Sequence, residues 1–223
     1  MTPRHLLAAA ALLLFALDLA CAQAQPQTPN RPAGYGSLAT HPVPAGAGGP
    51  GELDFCYRYS KRLWELTRGQ PKDDATRQKL EAVIRQALSP EGAREDAADV
   101  GKYFAGTYKT NSAMAAARFY TCGAHLKLPI APRHQASAEL CFDGLTLPRV
   151  AADARAAGKS EEDELRDLRA GTPAKTHQLV EQAVRLVYQA KSDTEVEATI
   201  RKVFFTCFAS LGDKPAKDGP ARN

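Results

Sequence analysis

The chain has 223 residues, of which 29 are lysine or arginine and 25 are aspartate or glutamate, so the formal net charge is +4. So small a positive excess does not indicate a nucleic-acid-binding protein, which would carry a basic patch or stripe. About 200 residues follow the N-terminal segment, enough for one or two small domains.

The first 22 residues are typical of a secretory signal peptide. Arg4 precedes an unbroken apolar stretch over residues 6–17, and Ala20 and Ala22 form a small-residue cleavage pattern. The stretch is shorter than the roughly 20 residues that a membrane-spanning helix needs, and no later apolar run reaches that length. We therefore expect a periplasmic or secreted protein rather than an integral membrane protein.

The number and spacing of the cysteines are those expected of an exported protein. Cys21 either leaves with the signal peptide or, in the alternative interpretation, is the lipidated first residue of a lipoprotein. Asp18 disfavours that alternative, because lipoprotein processing prefers an aliphatic side chain there. Four cysteines remain, and an even number in an exported chain indicates disulfides. Of three possible pairings, equal separations of 66 residues favour Cys56–Cys122 and Cys141–Cys207.

Residues 23–50 are rich in proline, glycine and alanine and show no apolar periodicity. Such a composition cannot bury enough surface to offset the entropy lost on ordering, so it predicts a disordered leader. Residues 212–223 have a similar composition and predict a disordered tail.

The first predicted unit spans residues 51–130 and reads as four helices. Apolar residues recur at steps of three and four, and polar caps, glycines and a proline separate the segments. The predicted segments are a helix over 52–68 ended by Gly69, a second from Asp73 or Asp74 to Ser89, a third reaching Phe104, and a fourth from Thr110 or Asn111 to beyond Cys122.

The second predicted unit spans residues 131–211 and also reads as four helices. Its last segment places apolar side chains on one stripe from Val196 to Leu211. Capping patterns mark further starts at Ser160 and Ser192. No segment shows the alternation of a strand, so the predicted fold class is all-α.

The two units resemble each other. Residues 98–126 and 183–211 share identical residues at a constant offset of 85 positions, including Phe119 with Phe204 and Cys122 with Cys207. This similarity predicts a tandem duplication of two four-helix units. Each unit begins and ends with a cysteine, so one disulfide is expected to close each unit. A loop of that length stabilises by about 4 kcal/mol in the chain-entropy account.

No residue pattern indicates catalysis or a metal. The chain lacks nucleophile-elbow, zinc-protease, phosphate-loop and EF-hand motifs, so we expect no catalytic residue, no metal site and no cofactor. The alternative is an envelope enzyme whose site lies between the units, with His125, His134 and Glu139 as the residues to test. A carrier that holds a small apolar ligand is a third possibility.

Trp64 is the only tryptophan, and it lies among charged residues on the first predicted helix. Tryptophan beside charges is typical of an interface anchor, and it is equally compatible with a core position. The candidate partner-binding surface therefore comprises Arg62, Trp64, Glu65 and Arg68.

The stretches CFDGLTLPRVAADARAAGKSEEDEL, LVEQAVRLVYQA and VFFTC resemble a pattern of small exported proteobacterial helical proteins closed by a pair of cysteines, most of them uncharacterised. A more distant resemblance is to the Tai-type immunity proteins of type VI secretion, although the Gly-x-x-Asp-Ala and Cys-x-Pro features of that family are missing. The resemblance implies a helical, disulfide-bonded envelope protein and transfers no site residue.

These observations together predict a non-catalytic module that binds an envelope or secreted protein, of an inhibitor or immunity type. The sequence does not identify the partner or the oligomeric state.

Overall fold

The computed structural model describes residues 36–212, which form α-helices, one 3₁₀ turn and connecting loops, with no β-strand in that range. The predicted all-α fold class is confirmed. The predicted signal peptide, the lipoprotein alternative at Cys21, the leader up to residue 35 and the tail beyond residue 212 lie outside the described residues.

Four helices make up the first half, as predicted. Local sequence defines their ends: the side chains of Asp73 and Thr110 accept hydrogen bonds from backbone N–H groups three residues later. Gly69 follows the first helix with a φ of 67°, a left-handed conformation that favours glycine. The helices are α1 (Pro50–Thr67), α2 (Asp74–Ala87), α3 (Pro90–Phe104) and α4 (Asn111–His125).

The second half has five α-helices, not the predicted four. The extra helix arises near Gly144, where Pro148 has no N–H to donate to the carbonyl four residues earlier. Two helices, separated at Leu145, therefore stand where one was counted from the sequence. The elements are α5 (Arg133–Gly144), α6 (Thr146–Ala156), α7 (Glu161–Gly171), a 3₁₀ turn (Ala174–Thr176), α8 (His177–Tyr188) and α9 (Asp193–Gly212).

Both predicted disulfides are present. Cys56–Cys122 joins α1 to α4 and Cys141–Cys207 joins α5 to α9, with Cα–Cα distances of 5.5 and 5.6 Å. The helices of the first pair run antiparallel, since Trp64, farther along α1, donates a hydrogen bond to Ser112 at the start of α4. Each bond thus connects an early helix of its half to the last one. The proposed duplication itself stays a prediction.

The two halves share one hydrophobic core. Tyr57 and Phe119 from the first half pack against Phe142 and Phe204 from the second, and all four side chains are almost completely buried. The ring centroids of Phe204 lie 4.7 Å from Tyr57 and Phe142 and 5.5 Å from Phe119. A smaller cluster around Leu63 and other residues of α1–α4 belongs to the first half alone. The halves are therefore packed together and are not separate domains.

The end of the predicted leader is ordered against the helices. The Glu95 carboxylate accepts hydrogen bonds from the Ser37 hydroxyl, the Leu38 and Ala39 amides and the Tyr59 hydroxyl. Burial alone would raise the pKa of Glu95, but these hydrogen bonds outweigh it and lower the pKa below its ordinary value.

Farther along this segment, the Gly48 amide donates to the backbone of Lys127 at 3.0 Å. A Cβ at residue 48 would lie 2.5 Å from the Leu126 carbonyl oxygen, so glycine permits this close approach. The prediction of disorder is therefore wrong for residues 36–50. Specific hydrogen bonds hold this segment although its composition is poor in apolar residues.

Candidate functional site

Trp64 lies in the core and presents no surface to a partner. Its side chain is fully buried, its indole N–H donates to the Ser112 hydroxyl at 3.2 Å, and its ring lies 6.5 Å from that of Phe142. Of the two positions that the sequence allowed, the structure selects the core. Helical periodicity shows which face of α1 is apolar, but it does not show what covers that face.

Arg62 belongs to a buried ionic cluster within the first half. Its guanidinium donates to Asp96 Oδ1 at 2.5 Å, and the same oxygen accepts a hydrogen bond from Arg118. Arg118 also donates to the Tyr59 carbonyl and to Asp99, and its guanidinium lies 3.5 Å from the Tyr59 ring centroid. The cluster fixes α1, α3 and α4 together, and removing one member would leave a buried charge unpaired.

Glu65 and Arg68 contact the second half of the same chain. Arg149 lies 3.1 Å from Glu65, and Asp153 accepts a hydrogen bond from Arg68. We call this set, with two further residues, the inter-half network; it comprises Lys61, Glu65, Arg68, Arg149, Asp153 and Glu197.

The inter-half network connects α1 with α6 and α9. Lys61 lies 2.6 Å from Glu65 and 2.9 Å from Glu197. Burial would lower the pKa of Lys61, but these carboxylates outweigh it and raise the pKa. Burial would likewise raise the pKa of Glu197, whereas Lys61 and Arg149 lower it. Glu65 and Arg68, which the sequence offered for an external partner, thus bind the other half of the chain. The opposite charges of Arg149 and Asp153 were the sequence feature that could have indicated this pairing with the first half.

The residues of the enzyme alternative make separate contacts. His134 Nδ1 accepts a hydrogen bond from the Ala131 amide, and its ring packs 5.8 Å from that of Phe208. Glu139 accepts a 3.5 Å hydrogen bond from the Thr110 hydroxyl, and His125 is exposed at the end of α4. Among residues 36–212, no group of three or more histidine, cysteine or acidic side chains has the geometry to hold a metal ion.

An apolar groove lies between α8 and α9. Two adjoining cavities, of about 420 and 380 Å³, share Leu186, Thr199 and Lys202. Val203 and Cys207 line one end, and Ala190 and Ala198 line the other. We call this surface the α8–α9 groove. Sequence reasoning missed it, because α8 and α9 are each amphipathic and their periodicity does not show how closely they approach.

The exposed residues that line the groove include Leu186 and Lys202, together with polar side chains such as Glu195 and Thr206. Leu186 is 46% exposed, and Leu179, two turns earlier on α8, is 58% exposed. Lys202 makes no ion pair or hydrogen bond with any described residue, in contrast to the paired charges of the inter-half network. The groove therefore combines an apolar lining with two charged residues, Lys202 and Glu195, that form no ion pair with each other.

The part of the chain between residues 36 and 212 contains no helix that is both long and apolar enough to span a membrane. Two disulfides indicate an oxidising compartment outside the cytoplasm. Comparisons with family models, with curated proteins and with solved structures found no match to this chain.

Proposed function

We propose that this protein is an exported, non-catalytic module that binds another protein of the bacterial cell envelope. The observation that carries the proposal is the α8–α9 groove, in which the exposed Leu186 lies beside Lys202, a lysine that forms no ion pair with a described residue. Contiguous exposed apolar surface on a soluble domain is typical of an interaction site. An inhibitor or immunity protein, as the distant sequence resemblance implies, is one version of this role.

The occupant that fits the groove is an amphipathic helix of the partner. The α9 side chains that face the groove recur at steps of three and four residues; they are Glu195, Thr199, Lys202, Thr206 and Ser210. At 1.5 Å per residue this stripe is about 22 Å long, the length of four helical turns. A groove of that shape between two helices accommodates the apolar face of a third helix.

Charge complementarity defines the partner further. Lys202 lines both cavities and forms no ion pair with a described residue, although Glu195 lines the smaller cavity as well. An acidic side chain beside the apolar stripe of the incoming helix would pair with it. The side chains of Thr199, Thr206 and Ser210 are short enough to let the backbone of the incoming helix approach that of α9 closely.

The test is variant-dependent capture from an extract of the source cell envelope. Leu186→Glu places a negative charge in the groove, whereas Leu140→Glu makes the same change at a leucine on α5 that is 60% exposed and lies outside it. We expect a protein that is captured by the unmodified chain and by Leu140→Glu, and lost with Leu186→Glu.

Lys202→Glu is expected to weaken the same capture, because it would repel the acidic side chain. Capture that is unaffected by Leu186→Glu would refute the role of the groove. Failure to recover any partner, together with turnover of a substrate by the purified protein, would refute the binding function and favour the enzyme alternative.

A further inference from the structure

We propose that the Cys141–Cys207 disulfide is a redox switch for the α8–α9 groove, whereas Cys56–Cys122 is a permanent structural bond. The first observation is a difference in access. Cys56 and Cys122 are both completely buried, but Cys207 is partly exposed and lines the groove. Cys141–Cys207 is therefore the more accessible of the two bonds, and the groove leads to it.

Loop length does not distinguish the two bonds, because each joins residues 66 positions apart. The chain-entropy contribution to stability is therefore the same for both. Access is the property that differs, and exposed disulfides are the reducible ones. Cys56–Cys122 is thus a matched internal control for the reduction of Cys141–Cys207.

The reaction is thiol–disulfide exchange with a dithiol reductant. One thiolate of the reductant attacks Sγ of Cys207, the sulfur–sulfur bond breaks, and Cys141 leaves as a thiolate that takes up a proton. The second thiol of the reductant then attacks the mixed disulfide, which releases Cys207 as a thiol and leaves the reductant as a disulfide. Two electrons pass from the reductant to the protein.

Reduction would loosen only the last part of α9. Val196, Ile200 and Phe204 anchor the first part of the helix in the shared core, where Glu197 and Arg201 also form ion pairs with α1. No residue from 205 to 211 is fully buried. Phe205, Phe208 and Leu211 pack against the core from this end without being fully buried, and the disulfide adds a covalent bond from it to α5.

The loosened segment forms one wall of the groove. Thr206, Cys207 and Ser210 line the larger cavity. Once the bond to α5 is open, this wall separates from its neighbours by local unfolding while the rest of the fold persists. The inference rests on the proposed function of the groove: the oxidised protein binds its partner, and the reduced protein does not.

The first experiment needs no partner. The native protein is treated with increasing dithiothreitol, quenched with N-ethylmaleimide and mapped by peptide mass spectrometry. We expect alkylation at Cys141 and Cys207 to be faster than at Cys56 and Cys122 by about tenfold or more. Reduction of both bonds at the same rate, or of Cys56–Cys122 first, would overturn the proposal.

The second experiment follows amide hydrogen exchange in the selectively reduced protein and in the Cys141→Ala, Cys207→Ala double variant. We expect faster exchange over residues 205–212 and unchanged exchange over 193–204. Unchanged exchange in both ranges, or faster exchange throughout the protein, would contradict a local switch.

Capture of the partner separates this inference from the proposed function. Capture by the oxidised protein alone supports the switch. Equal capture by both forms refutes the switch and leaves the binding function intact. If neither form captures a partner, the proposed binding function is refuted. The redox control of that binding is then refuted as well, whichever disulfide is reduced first.

Discussion

Phe204→Ala is the change that best tests the shared core. The Phe204 side chain is completely buried and contacts the rings of Tyr57, Phe119 and Phe142. Replacing a buried phenylalanine by alanine removes its transfer free energy and leaves a cavity, at a cost of about 3–5 kcal/mol. Five described rings neighbour Phe204, and we take the middle of this range, about 4 kcal/mol, as the expected loss.

The assay is urea unfolding, followed by far-ultraviolet circular dichroism and by the fluorescence of Trp64, which lies in the first half. Because the core joins both halves, we expect one transition by both probes. In thermal unfolding, a loss of this size lowers Tm by about 8–16 °C for a domain of this length.

The control is Leu140→Ala, at an exposed position, which is expected to change the free energy of unfolding by no more than about 0.5 kcal/mol. Two results would refute the reasoning. One is a loss below about 1 kcal/mol for Phe204→Ala. The other is an unchanged fluorescence transition beside a shifted dichroism transition, because the halves would then unfold independently.

Three further outcomes are expected. Tyr57→Phe is neutral or stabilises by about 1 kcal/mol in urea unfolding, because the buried Tyr57 hydroxyl has no hydrogen-bond partner in the described chain; a clear destabilisation would reveal a missed partner. The pKa of Glu95 is lowered in the folded state, so its stabilisation is fully present above pH 4.5 and is lost as the pH falls through that lowered value. The Glu95→Gln variant should therefore be less stable at neutral pH and should lose less stability on acidification. Parallel profiles of stability against pH for the two proteins would contradict this. Arg149→Met in the partly exposed inter-half network costs up to about 1 kcal/mol, and 1 M salt should reduce that cost; a salt-independent loss would indicate packing instead.

Local sequence accounts for most helix ends. Asp73, Thr110 and Ser160 are predicted starts, and each side chain accepts a hydrogen bond from a backbone amide in the first turn. Gly69 is a predicted end and adopts positive φ, as does Gly158 after α6. These features depend on a few neighbouring residues, so the sequence predicts them without knowledge of the fold. Pro148 was a possible helix start in the sequence, but the count of four helices in the second unit did not include the split between α5 and α6.

The candidate sites show the limit of this reasoning. Arg62, Trp64, Glu65 and Arg68 were recognised as an unusual group, but their partners are Asp96, Ser112, Arg149 and Asp153. A cluster of charges beside a tryptophan has the same composition whether it faces another protein or another helix of its own chain. Only the packing of α3, α4 and the second half on α1 distinguishes these cases.

The sequence by itself determined the all-α class, the helix ends and the favoured pairing of four cysteines, because short-range periodicity, capping and spacing encode them. The tertiary structure alone decided that the halves share a core, that residues 36–49 are held by Glu95 and other contacts, and that α8 and α9 leave a groove between them. These features arise from contacts between residues far apart in the chain. Their free energy depends on distance, burial and charge pairing, which no local pattern specifies.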